Sequence, residues 1–212
     1  MFKARTILLL ISAVLIISLL SSLGFCNKSS GSNAIAHSGN KTTNSFIKKL
    51  ETKAAAAKAF VTANKYNDKV CFLIDMSLPS GQNRFFIYDL ENDTVSKAGL
   101  VTHGNCNQYW LDGRKYGNTV GCGCTSLGKY KVGYPYVGVF GQAFKLYGLD
   151  KTNNMAFDRF VVLHSHSCVP ETTVKDEICQ SNGCPTVAPG FLATLRPIIN
   201  QSRKPVLLWI FE

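Results

Sequence analysis

The chain has 212 residues, 46% of them hydrophobic and 17% charged, with eight cysteines and a formal charge of +10. That much apolar material builds a core and the glycines show no period, which excludes disorder and collagen-like repetition and points to one domain of ordinary size. The basic residues are scattered rather than gathered into a stripe that tracks a phosphate backbone, so nucleic acid is not expected as a partner.

Lys3 and Arg5 precede a charge-free apolar run over residues 6–25, the form of a secretory signal, and the chain is expected to be exported. Three fates of that run stay open. Ser22-Leu23-Gly24 offers small residues for ordinary cleavage, Leu23-Gly24-Phe25-Cys26 is similar to a bacterial lipoprotein box that would put lipid on Cys26, and about 20 apolar residues suffice for a retained anchor. Residues 26–44 are rich in Ser, Asn, Gly and Lys and read as a polar linker. Over 45–66, Phe46, Ile47, Leu50, Ala54, Ala57 and Phe60-Val61 fall at helical spacing, which predicts a helix capped by Asn44 or Ser45.

From residue 67 the texture is β. Runs at Lys69–Met76, Arg84–Leu90, Thr94–Thr102, Phe144–Leu149, Phe160–His164 and Pro205–Phe211 are β-branched or aromatic, and Gly, Asn and Asp clusters separate them. A late helix is expected from Pro189, with Phe191, Leu192 and Leu195 on its buried face and Pro197 ending or bending it. The fold class is therefore mainly β, a sandwich or small barrel over 67–212, with an N-terminal helix and one short helix near the end.

Chemistry-bearing residues gather late in the chain. The apolar run Val161-Val162-Leu163 ends in His164, which places an imidazole at the mouth of a sheet. Twenty residues on, Ser181-Asn182-Gly183-Cys184-Pro185 puts a cysteine after a glycine that permits a tight turn, with the Gly183 and Cys184 amides as oxyanion donors. Pro185 has no amide hydrogen and adds none. A free thiol is only a few per cent thiolate at neutral pH, so a neighbouring imidazole that takes and later returns the proton makes it useful for acyl transfer. His166 competes with His164 for that role, His103 in Thr102-His103-Gly104 could line the same cleft, and His37 lies in the linker.

His164 followed by Ser181-Asn182-Gly183-Cys184 resembles the signature of the L,D-transpeptidase catalytic (YkuD-like) family, which builds and remodels peptidoglycan. Leu100–Gly104, Tyr116-Gly117-Asn118, Gly121–Tyr130 and Gly138–Gly148 are similar to the murein L,D-transpeptidase branch, so the resemblance spans about residues 71–211. It implies that Cys184 is the nucleophile, that His164 is the base and acid, and that the Ser165 carbonyl orients the imidazole. Ser181, Asn182, Gly183, His103 and His166 are then expected around the substrate, with no metal and no cofactor. Asn182 stands where the wider family most often has histidine. Pro185-Thr186 stands where a basic residue often follows, and Lys129, Lys131 and Arg159 are the cations that would take over its grip on a donor carboxylate.

The resemblance implies a thioester with the donor tetrapeptide, release of D-alanine and transfer to an amine, in the bacterial cell envelope, with a carbapenem adduct on Cys184. Hydrolysis at the same site, as an L,D-carboxypeptidase or amidase, and a non-catalytic envelope-binding module are the alternatives. Apart from Cys26 and Cys184, six cysteines remain, for which fifteen complete pairings exist. Cys168–Cys179 is the expected bridge, across the loop between base and nucleophile. Removing residues 1–24, with Lys3 and Arg5, lowers the formal charge from +10 to +8, so the exported part carries the basic excess and suits a carboxylate-rich wall.

Overall fold

A computed structural model describes residues 37–212, with side chains from residue 45 onward, so the apolar run at 6–25 and Cys26 lie outside the described residues. Helix α1 (His37–Asn64) buries Leu50, Ala54, Ala57 and Val61, spaced four, three and four apart on one face. Residues 37–44, read as linker, are helical instead. Their composition is a poor helix former, but extending a helix already fixed by packing is far easier than nucleating one.

Eight strands follow, β1 (Val70–Asp75), β2 (Phe85–Asp89), β3 (Thr94–Gly99), β4 (Gly128–Gly138), β5 (Gly141–Gly148), β6 (Val162–Ser165), β7 (Thr186–Val187) and β8 (Leu207–Phe211), with helix α2 (Pro189–Asn200) between the last two. They form one sheet in the order β3-β2-β1-β8-β4-β5-β6-β7. β1 with β8 and β6 with β7 run parallel, and the other neighbours run antiparallel. The mainly β architecture with a helix at the start and a short helix after Cys184 is the one expected.

Alternation along the strands builds two cores. Cys71, Leu73, Leu207 and Phe211 face α1, whereas Phe72, Ile74, Leu208 and Ile210 turn to the other side, where α2 contributes Phe191, Leu192, Leu195 and Ile199. Pro189 opens α2 where an amide hydrogen is dispensable, but Pro197 does not end it: the helix runs on to Asn200. β4, the longest strand, is not legible in the sequence because Gly133, Pro135 and Gly138 imitate turn signals. The structure accommodates Pro135 at a register shift in the β4–β5 ladder, on a stretch that β8, paired only through Gly128–Lys131, no longer covers. Among the described residues, no helix is long and apolar enough to cross a membrane.

Among the described residues two disulfides are present, the expected Cys168–Cys179 and a second, Cys106–Cys124. Cys71 and Cys122 carry free thiols, as does Cys184.

Candidate active site

His164 pairs with Thr186 across the parallel β6–β7 ladder, which brings the end of the apolar strand beside the segment that leaves Cys184. The imidazole is buried and its two nitrogens have different partners. Nδ1 lies 3.2 Å from the Ser165 carbonyl, an acceptor only, so Nδ1 carries the hydrogen. Nε2 is then the free lone pair, and the Thr186 hydroxyl donates to it at 3.0 Å. Burial pulls the His164 pKa below its ordinary value, with the Ser165 contact opposing and the His166 charge adding to the fall. The ring is therefore neutral at neutral pH, with its basic nitrogen already facing the loop.

Cys184 does not touch that nitrogen in this conformation. Its Sγ accepts from the Val162 amide at 3.4 Å and lies 3.7 Å from the Phe160 carbonyl. Burial raises the thiol pKa, against a smaller pull from the Val162 amide and the Arg159 charge. With the thiol pushed up and the imidazole pushed down, both rest neutral rather than as an ion pair.

Ser181 holds the loop. Its amide donates to the His103 carbonyl, its hydroxyl donates to the Cys184 carbonyl at 2.7 Å, and the same oxygen accepts from the Gly183 amide at 3.2 Å. The Gly183 amide, expected as an oxyanion donor, is thereby occupied by Ser181, whereas the Cys184 amide has no protein acceptor among the described residues. Gly183 has φ +103, and a Cβ there would lie 2.6 Å from the Cys124 carbonyl oxygen, so only glycine lets the loop seat against that strand of backbone. Asn182 is exposed at the loop's apex.

The remaining expected residues divide. His166 is exposed at the rim, where its Nδ1 accepts from the Cys168 amide. His103 is 2% exposed: Arg84 Nη2 donates to its Nδ1 at 3.2 Å, and its backbone carbonyl receives Ser181. Through that carbonyl it helps hold the loop that carries Cys184. Lys129 pairs with Asp150 at 2.8 Å, and Lys131 Nζ lies 4.6 Å over the Tyr147 ring. Of the three expected cations, Arg159 alone reaches the loop. Its guanidinium donates to the carbonyls of Gly117 and Cys124 and to Ser126 Oγ, and Nη2 lies 3.2 Å from where a Gly183 Cβ would stand. Among the described residues no carboxylate is within ion-pair distance of it.

Three residues at the site escaped the sequence reading. Thr186 was visible only as part of a departure from the family motif. Phe140, at the β4–β5 tip, stacks on the His164 ring at 4.9 Å and meets His166 edge-on at 5.6 Å; an aromatic residue between Gly138 and Gly141 was the available signal. Phe160 adopts φ 55, in the left-handed region that glycine normally takes, and nothing in its sequence context announces that. The turn before it closes with Val161 N–H to the Ala156 carbonyl and Phe160 N–H to the Phe157 carbonyl, the Schellman pattern, which aims the Phe160 carbonyl at the thiol.

The family model for the L,D-transpeptidase catalytic domain matches residues 41–211 of this chain. Among solved structures, the L,D-transpeptidase from Xylanimonas cellulosilytica is similar at 16% identity and a TM-score of 0.38, with 67% of this chain and 60% of that chain covered. The chain thus spans less than two thirds of that structure's length. No curated protein matches.

Proposed function

The chain belongs to the L,D-transpeptidase catalytic domain family, and from that premise we propose that it is an exported, cysteine-dependent acyl transferase acting on peptidoglycan stem peptides in the cell envelope. The observation that carries this reading is the placement of the His164 imidazole, its Nδ1 against the Ser165 carbonyl and its Nε2 against Thr186, two residues past Cys184.

In the proposed cycle the Cys184 side chain turns toward Nε2, and the Thr186 hydroxyl leaves that nitrogen for the Cys184 carbonyl, already 3.4 Å away. Nε2 takes the thiol proton as sulfur attacks the donor carbonyl carbon. The Cys184 amide stabilises the resulting oxyanion, a contribution of about 3 kcal/mol for one such donor. Collapse breaks the C–N bond, the departing D-alanine amine takes the proton from His164, and a thioester remains on Cys184. An acceptor amine then attacks that carbonyl, gives its proton to Nε2, and the thiolate leaves and is reprotonated. Arg159 supplies the positive charge that the motif's missing basic residue would have supplied. Phe140 over the imidazole limits water at the thioester, which favours transfer over hydrolysis.

The test is incubation with stem tetrapeptides and muropeptides beside Cys184→Ala, with products read by mass spectrometry. D-alanine release with a new cross-link is expected. Release without one would make the enzyme a carboxypeptidase, and activity surviving Cys184→Ala would remove the nucleophile assignment. A carbapenem adduct on Cys184 is the expected independent mark of the donor pocket.

A further inference from the structure

A second concavity lies away from Cys184. A cleft of about 470 Å³ is bounded by Lys131–Pro135 of β4, Tyr147 of β5, the end of α2 at Ile199 and Asn200, and Ser202–Val206 after it. β4 is two strands from β6 in the sheet, about 10 Å at ordinary strand spacing. None of the residues at the thiol lines it.

Its lining has a consistent chemistry. Lys131, Arg203 and Lys204 contribute three cations, and no Asp or Glu is among the lining residues. Asp68 engages Lys204 at 2.8 Å from outside, whereas neither Lys131 nor Arg203 has a carboxylate within ion-pair distance among the described residues. The aromatic surface is equally specific. Tyr134 is 87% exposed, and Gly133 leaves room for the Tyr147 ring, since a Cβ there would fall 2.5 Å from Tyr147 Cε2. Phe157 stacks on Tyr147 at 5.3 Å and Lys131 Nζ lies 4.6 Å over the same ring, so the open aromatic surface of the cleft is that of Tyr134.

The exposed Tyr134 ring offers a flat apolar face with a polar edge, which suits the face of a sugar ring, and cations without a carboxylate partner suit carboxylates. We propose that this cleft is a second binding site for a carboxylate-bearing glycan, and that it holds a peptidoglycan strand while the thiol works on a stem peptide elsewhere on the polymer. The identification of the polymer rests on the proposed function; the cleft's preference for an anionic sugar chain rests on its own lining. Charge complementarity selects this occupant: an uncharged glycan leaves Lys131 and Arg203 without a carboxylate, and an acidic peptide leaves the exposed Tyr134 ring unused.

The test uses the full chain and its Tyr134→Ala/Arg203→Gln variant, whose changes fall on exposed side chains. Co-sedimentation is measured with purified sacculi, with sacculi whose carboxyls have been amidated, and with soluble polyglutamate as competitor. Carbapenem labelling of Cys184 and the melting temperature check that both proteins are intact. The double variant is expected to bind sacculi about tenfold more weakly, the sum of one stacking contact and one charge contact of ordinary size. Amidation is expected to reduce binding by the wild type and polyglutamate to compete poorly. On a short soluble tetrapeptide the variant is expected to match the wild type, with a deficit only on sacculi. Unchanged sedimentation of the variant overturns the site, and so does equal binding to amidated sacculi or full displacement by polyglutamate, which would reduce it to a charge patch. Loss of variant binding with no D-alanine release by either protein would keep this site and reject the proposed function, so the two fail separately.

Discussion

At the scale of single residues, the site is governed by one charge and one backbone conformation. Arg159 holds three acceptors from the 117–126 segment and lies against Gly183, so its charge opposes the burial that raises the thiol pKa. Replacing it by Gln should move the pH midpoint of Cys184 alkylation upward and cut acyl transfer about tenfold or more, while Lys, which keeps the charge but not the planar fork, should restore the midpoint more fully than the rate. A midpoint identical in Arg159→Gln and wild type would separate this guanidinium from the thiol. Phe160 sits at φ 55, where a non-glycine residue costs about 1 kcal/mol. Phe160→Gly should therefore hold or raise the melting temperature and still lower activity on stem peptides, because it removes an exposed ring from the residue whose carbonyl meets the thiol. A loss of both would show that the ring serves folding instead.

His103 gives a pH dependence with a definite sign. Burial, with Arg114 and Arg84 nearby, lowers its pKa from 6.5 to about 4. The unfolded chain therefore binds a proton that the folded chain refuses, and stability falls as pH drops from about 6.5 toward about 4, by on the order of 3 kcal/mol. His164, also shifted downward, acts in the same direction. In urea titrations across that range, His103→Asn should flatten the decline, since the amide oxygen still accepts from Arg84 but does not titrate. An equally steep decline in the variant would place the acid sensitivity elsewhere.

At the scale of elements, two covalent clamps frame the catalytic loop. Cys168–Cys179 closes the segment between His166 and Ser181, and Cys106–Cys124 ties down the stretch whose Cys124 carbonyl both holds Arg159 and packs on Gly183. Replacing Cys168 and Cys179 together by alanine should lower stability by about 3 kcal/mol, the loop-closure value for a bridge of this span, and should loosen activity more than the melting temperature alone predicts. Retained activity with the full stability loss would assign that bridge to the fold alone. The elements differ in how plainly the sequence announces them. β1, β2, β8 and α2 follow from alternation, apolar spacing and Pro189. β4 does not, because the residues that bend it past the end of β8 are the ones that usually end strands.

Over the whole molecule, short-range pattern and long-range closure contributed different things. The sequence by itself determined the mainly β texture, the helix that follows Cys184, and the pairing of a histidine at a strand end with a cysteine behind a glycine turn, since each depends on residues a few positions apart. Only the tertiary structure decided which cysteines bridge, that the His103 carbonyl receives the Ser181 amide, that Gly183 gives its amide to Ser181, and that Arg159 rather than Lys129 or Lys131 reaches the site. Those outcomes depend on segments far apart in the chain, such as residues 103 with 181 and 124 with 159, meeting across the sheet. Local propensity carries no record of such meetings, because they are fixed by packing and chain closure together.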